Sequence, residues 1–434
     1  MSMPQTVKTV SDVIVTLGQY KRLPANMNLT GSPLLAALKK VGTAHIYADT
    51  ASQEELEKVL TIRPQTILEG IDGNTVNQPL MAKVLKPYLE RTDLSQWGQL
   101  LREQGQTLSQ QELLPLLYTI VCGRIGTEIV RAFASGRSWE VSLQLHMGLV
   151  KDPEKAMEIG RSLRRMVSSA LVKVPFAPQA PVCFLIARDL ENEGIPVNFT
   201  STFSTRQAVA AALLANVTRT NIFMGRLDQG LKAELLGAHV ALEAQRMLRR
   251  LRQQAIVKTQ LIVASLRDWR SFLYTAGCDA YTAPCSVLRE FLGQDEAITR
   301  SIQSRLDTSY EGHLGIPNHI VTSVGADRIM GLYRVEPEFV EFLLKYRATT
   351  EYQELDDGDH LVRRFEEAGF KDVFYAPNHN EWAAMRRGKI PDLKSPITKK
   401  LALDTLYSLL ANADFEKHQE NMDRELQGYL QKIA

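Results

Sequence analysis

Apolar and polar positions along this chain follow two rhythms. Short runs dense in aliphatic and β-branched residues recur through the first three hundred positions, separated by stretches whose apolar residues return every three to four positions. The short runs are Thr43–Asp49, Gln65–Asp72, Glu140–Leu145, Ala170–Pro175, Pro196–Thr200, Asn221–Gly225, Gln260–Leu266 and Asp279–Pro284, eight in all. Most lack strict alternation, which is how parallel strands covered on both faces read. Between them, Asp152–Ser169 places Ala156, Ile159, Leu163 and Val167 on one helical face, with Asp152 as cap and Pro153 in the first turn. Ser204–Leu214 opens on a serine and is rich in alanine, again a helix. Eight β-runs with helical crossovers predict an α/β fold, a closed (β/α)8 barrel of the TIM type. An open doubly wound sheet is the runner-up, and no GxGxxG follows the first run to support it.

Two stretches exceed a minimal barrel. The interval before Glu140 is mostly helical in pattern and contains Gln111–Arg131, which predicts extra helices between the second and third strands. Beyond Leu292 a mostly helical C-terminal extension begins. It contains the acidic loop Glu354–Asp359 and ends in Pro396–Leu430, whose Leu401, Leu406, Leu409 and Leu410 are expected to pack on the barrel. The predicted division is an N-terminal helical segment over 1–40, a barrel over 41–295 and an extension over 296–434, its last helices (396–430) against the barrel. Val335–Pro377 offers no readable pattern.

Composition narrows the setting. The 434 residues are 44% hydrophobic and 23% charged, with a formal net charge of +2 and no basic tract of the kind that wraps nucleic acid. Met1–Thr6 is polar, so no secretory leader is expected, and no apolar stretch reads as long enough to span a bilayer. Cys122, Cys183, Cys278 and Cys285 fall in or beside apolar segments without CxxC spacing. Core thiols in a reducing compartment, a cytoplasmic location and no metal site are the expectation.

The candidate chemistry starts at Lys173, alone inside Ala170–Phe176. An unpaired ammonium in a buried strand costs several kcal/mol. Burial disfavours the charged form, so an amine that titrates near pH ~10.4 in water becomes a neutral nucleophile nearer neutrality. Such an amine attacks carbonyls to form a Schiff base, an electron sink for breaking a neighbouring carbon–carbon bond. The alternative is a strand-end lysine whose head reaches solvent.

Catalytic groups of a (β/α)8 barrel come from the carboxyl ends of its strands. Polar residues in or beside the runs are Asp49, Thr75, Asn77, Glu140, Asn198, Thr200, Arg226, Ser265 and Arg267. With Lys173 they supply an amine, a proton shuttle, hydroxyl anchors and an oxyanion clamp. Each has a structural alternative: Asp49 as a helix cap, Glu140 as a solvated strand start, Thr200 as a strand former, the asparagines as turn residues and the arginines as surface ion pairs.

Several motifs fall in one order: Lys173-Val174-Pro175, Gly194–Thr200 (GIPVNFT), Phe203-Ser204, Gln207-Ala208, Phe223-Met224-Gly225-Arg226, Ala264-Ser265-Leu266-Arg267 and Ala276–Asp279 (AGCD). Together with Asp49-Thr50, Asp72–Pro79 and Trp139-Glu140-Val141, they strongly resemble the transaldolases, class I Schiff-base aldolases, over residues 40–295. The resemblance implies that Lys173 forms the Schiff base and Asp49 is the acid/base. It implies that Glu140 and Thr200 hold a catalytic water, and that Thr75, Asn77, Asn198 and Asn221 lie toward the donor. It further implies that Phe223 lines the pocket while Arg226, Ser265 and Arg267 grip the phosphate. No cofactor and no metal are implied. The implied partners are sugar-phosphate substrates of pentose-phosphate type, with no nucleic acid and no membrane, and a homo-oligomer is left open.

The chain departs from the family pattern at Ser142, where Asp is usual, and at Asn221, where Ser is common. It departs again at Val76–Pro79 and at Pro175–Pro178. The expected activity is transfer of a dihydroxyacetone unit from a ketose phosphate to an aldose phosphate. The rival readings are an enzyme acting on a sulfonated ketose and a catalytically silent barrel that binds without turnover.

Overall fold

In a computed structural model, residues 10–18, 28–63, 66–92, 108–134 and 138–433 are described, with isolated positions between 99 and 103. Met1–Thr6 lies outside the described residues. Eight parallel strands close into a barrel, and helices run between them. In chain order the barrel strands are His45–Asp49, Gly73–Thr75, Glu140–Gln144, Ala170–Pro175, Val197–Thr200, Arg219–Phe223, Gln260–Ala264 and Ala280–Ala283. Each pairs with the next in sequence, and the eighth closes on the first through pairs such as Tyr281 with Ile46. The predicted (β/α)8 architecture is the observed one.

The second apolar run is the exception. Thr66–Leu68 does not enter the barrel but pairs in a small sheet with Asn28–Thr30 and Thr61–Arg63. The second barrel strand is the polar tripeptide Gly73–Thr75. Gly73 is required there, because a Cβ at that position would collide with the Glu140 carbonyl. Asn74 is fully buried and paid for by hydrogen bonds: its Nδ2 donates to the Thr50 carbonyl at 2.9 Å and its Oδ1 accepts from Trp139 Nε1 at 3.0 Å. Satisfied polar groups replaced hydrophobicity in this strand, so an apolar signal pointed to its neighbour.

The crossover helices start where their caps predict. Asp152 caps Pro153–Met166 by accepting from the Lys155 backbone N–H, and Ser204 caps Thr205–Ala215 by accepting from that of Gln207. The extra helix between the second and third strands is Gln110–Phe133, opened by a capping box of Ser109 and Glu112. Its Glu112–Phe133 portion is long and apolar enough to cross a membrane, contrary to the reading that no stretch is; 67% of its apolar window is buried inside the protein, against the helices Val10–Gly18 and Pro153–Met166. All four cysteines are buried and unpaired.

The C-terminal extension is helical and ends in a 31-residue helix, Leu403–Ile433. This terminal helix has two apolar faces. Leu403, Tyr407, Ala411, Phe415, Met422 and Leu426 join the main core. Leu406, Leu409 and Leu410, with Leu401 just before the helix, were expected on the barrel; they instead form a separate cluster with Met385 and Ala413. The short helix His379–Met385 covers that second face, so one amphipathic stripe could not account for both.

Polar contacts seat the terminal helix across the carboxyl ends of the barrel strands. Ser408 Oγ donates to the Ser201 carbonyl at 2.8 Å, and Asn412 Nδ2 to the Phe176 carbonyl at 2.7 Å. His146 Nε2 lies 3.0 Å from Asp423. His146 Nδ1 accepts from the Gly148 N–H, so Nε2 carries the proton toward the carboxylate. Residues 146, 176 and 201 each follow a strand end, and the helix therefore roofs the barrel mouth.

Candidate active site

A cavity of about 490 Å³ opens at this mouth, and Lys173 is at its wall. The Lys173 side chain is only 2% exposed. Burial pushes its amine down to about 8, against the opposing pull of the Asp49 carboxylate. Asp49 ends the first strand and lines the same cavity. It accepts a hydrogen bond from Thr75 Oγ1 at 2.8 Å, and Thr75 Oγ1 is in turn 2.6 Å from Thr282 Oγ1. Asp49 is not a helix cap; Ser52 caps the helix that follows.

Thr75, Asn198 and Thr200 are fully buried and do not line the cavity. Asn198 donates to Ser142 Oγ at 2.9 Å and accepts from Asn221 Nδ2 at 2.5 Å. This ties Asn221, a lining residue, to the strand beside Lys173. Asn77 lines the cavity while its Oδ1 caps Gln78–Glu90 at the Leu80 N–H.

The cavity also carries cationic side chains. Arg226 and Arg267 line it with Ser265 and Phe223. Ser265 holds a left-handed φ of 64°, and Gly225 packs so closely on it that a Cβ would meet the Ser265 carbonyl and the Arg267 stem. Burial lowers the pKa of both guanidinium groups, and for Arg267 the charge of Arg226 adds to the effect. Neighbouring cations with depressed basicity bind an anion readily.

Glu140 is not part of this site. It begins its strand at the amino end, where its carboxylate accepts from the Tyr47 hydroxyl at 2.5 Å and lies 3.6 Å from Arg219. The register partner of Lys173 is Gln144, at the carboxyl end of that strand. Four residues separate Glu140 from Gln144, roughly 13 Å along a strand. Gln144 is fully buried, and neither its Oε1 nor Thr200 Oγ1 has a hydrogen-bond partner among the described residues. The rule that barrel chemistry sits at strand ends would have selected Gln144 within the run Glu140–Leu145.

The family profile for Transaldolase/Fructose-6-phosphate aldolase matches residues 46–316. The chain belongs to that family. A Thermoplasma acidophilum protein described as "Probable transaldolase" is 26% identical over 274 residues, covering 62% of this chain and 98% of the relative. A Prochlorococcus marinus "Transaldolase" is 28% identical over 269 residues, 60% of this chain and 76% of its own length. A Chlamydia muridarum "Transaldolase" is 25% identical over 244 residues, 54% and 72% respectively.

Family membership makes this chain a transaldolase-type enzyme, and the matched span includes every sequence-predicted site residue. Sequence reasoning missed the residues that other segments bring to the cavity. Lys83 comes from the helix after the second strand, Lys389 and Ile390 from a loop of the extension, and Phe415 from the terminal helix. The last three lie beyond the matched span. No local motif marks them.

Proposed function

We propose that the protein transfers a dihydroxyacetone unit from a ketose phosphate, such as fructose 6-phosphate or sedoheptulose 7-phosphate, to an aldose phosphate. Neutral Lys173 attacks the C2 ketone, and loss of water leaves an iminium. Asp49 removes the proton of the C4 hydroxyl, the C3–C4 bond breaks into the iminium sink, and the aldose phosphate departs. An enamine-bound dihydroxyacetone unit stays on Lys173 until an acceptor aldehyde adds to it. Asn77 and Asn221 face the donor's hydroxyl groups, while Arg226, Arg267 and Ser265 receive the phosphate. Thr200 and Gln144, each with an unsatisfied buried oxygen, suit the water that enters and leaves with the imine; this replaces the pairing of Thr200 with Glu140. The lysine itself is the electron sink, so the steps as drawn call for no cofactor. The setting this implies is cytoplasmic sugar-phosphate interconversion of pentose-phosphate type.

The observation that carries the reading is the buried Lys173 amine, lowered to about 8, in the same cavity as Asp49 and the arginines. Borohydride reduction in the presence of fructose 6-phosphate, followed by peptide mapping, tests it. A dihydroxyacetone adduct on Lys173 is expected in the wild type and none in Lys173→Ala. If no ketose phosphate is trapped on the wild type, the reading gives way to a binding protein.

A further inference from the structure

The terminal helix brings a carboxylate against Arg226, one of the cations that line the cavity. Asp414 Oδ2 lies 3.1 Å from Arg226 Nη2, with the two side chains 6% and 11% exposed. The other arm of the guanidinium, Nη1, is buried without a partner among the described residues. The Arg226 group sits by the rings of Phe223 and Phe415, 5.6 and 6.0 Å from their centroids. Lys389 Nζ is 3.5 Å and His418 Nε2 3.7 Å from the second oxygen of Asp414.

We propose that Asp414 is a specificity-determining residue, an internal carboxylate that competes with the substrate's anionic group for Arg226 and trims the charge of the site. The proposal rests on the reading that Arg226 and Arg267 receive that group. Arg226, Arg267, Lys83 and Lys389 all line the cavity, and Asp414 offsets the charge of Arg226. An anion held by Arg226 would share one guanidinium with Asp414, close enough for the like charges to repel. Lys389 blunts that repulsion from the far side of the carboxylate. The device belongs to the extension, because residues 389 and 414 fall outside the family match at 46–316.

Calorimetric titration of the full chain with inorganic phosphate, no ketose present, tests the proposal. Asp414→Asn keeps an acceptor for Arg226 Nη2 and removes the charge, so phosphate affinity should rise on the order of tenfold, with the gain shrinking as salt is added. Asp423→Asn is the control: it lies on the same helix but bridges His146, and phosphate affinity should stay within about twofold of the wild type. Unchanged or weaker binding in Asp414→Asn overturns the proposal, as does the same gain in Asp423→Asn or a lack of phosphate binding by both the wild type and Asp414→Asn. If Asp414→Asn does not fold, Asp414→Ser carries the same test. Phosphate binding needs no imine, so failure here is distinct from failure to trap a ketose on Lys173.

Discussion

Gln144 and Lys173 are register partners on adjacent barrel strands, so their side chains share the inner face of the sheet. An amide therefore neighbours the buried amine, and the carboxylate of Glu140 belongs to a polar cluster with Tyr47 and Arg219 at the far end of the barrel.

Two substitutions separate those positions. Gln144→Ala should slow imine formation by about tenfold, because a group placed to handle the water is lost. Glu140→Gln should leave the trapping rate within about twofold yet cost about 1–3 kcal/mol of stability, since Tyr47 and Arg219 lose a charged partner. Rapid-mixing borohydride trapping and urea unfolding measure the two effects, and the reverse pattern would return Glu140 to the site.

Imine formation should follow the deprotonation of Lys173. The trapping rate is expected to rise with pH through a midpoint near 8. The Asp49 carboxylate raises the lysine's pKa, so Asp49→Asn should move that midpoint to lower pH. A midpoint that stays in place would mean the two groups do not sense one another.

Burying this amine has a stability cost with a defined pH window. The folded-state value of about 8 lies below the ordinary 10.5, so the unfolded chain binds the extra proton between those values and stability climbs as pH rises through them. Below pH 8 the full penalty applies, about 3 kcal/mol from the size of the shift. Lys173→Met should accordingly stabilise the protein by about that amount at pH 7, with the gain fading toward pH 10.5. Denaturant midpoints at the two pH values decide it.

Gly225→Ala should damage phosphate recognition and spare the amine. A Cβ there displaces Ser265 and the Arg267 stem, so KM for a phosphorylated donor should rise at least about tenfold. Trapping of unphosphorylated dihydroxyacetone on Lys173 should continue at the wild-type rate. Equal loss in both assays would indicate a general collapse of the barrel mouth.

Much of the site was legible because strand order and strand ends translate directly into position around a barrel. Asp49, Asn77, Lys173, Asn221, Phe223, Arg226, Ser265 and Arg267 all reach one cavity. Glu140 was misplaced for want of register: a strand of period two brings residues 140, 142 and 144 to one face, and only pairing with the next strand tells which of them is level with Lys173. The second strand was missed because Gly73–Thr75 is held by backbone contact and hydrogen bonds, which leave no apolar trace.

By itself the sequence determined the local terms: eight strands or their close neighbours, the capped helices, and a lysine that burial would make nucleophilic. Those follow from periodicity, capping and desolvation, which act over a few residues. Only the tertiary structure decided that Gln144 stands beside Lys173, that Phe415 and Lys389 line the cavity from far along the chain, and that Asp414 pairs with Arg226. Barrel register and the docking of the terminal helix depend on packing summed over the whole fold, and no short stretch of sequence carries that sum.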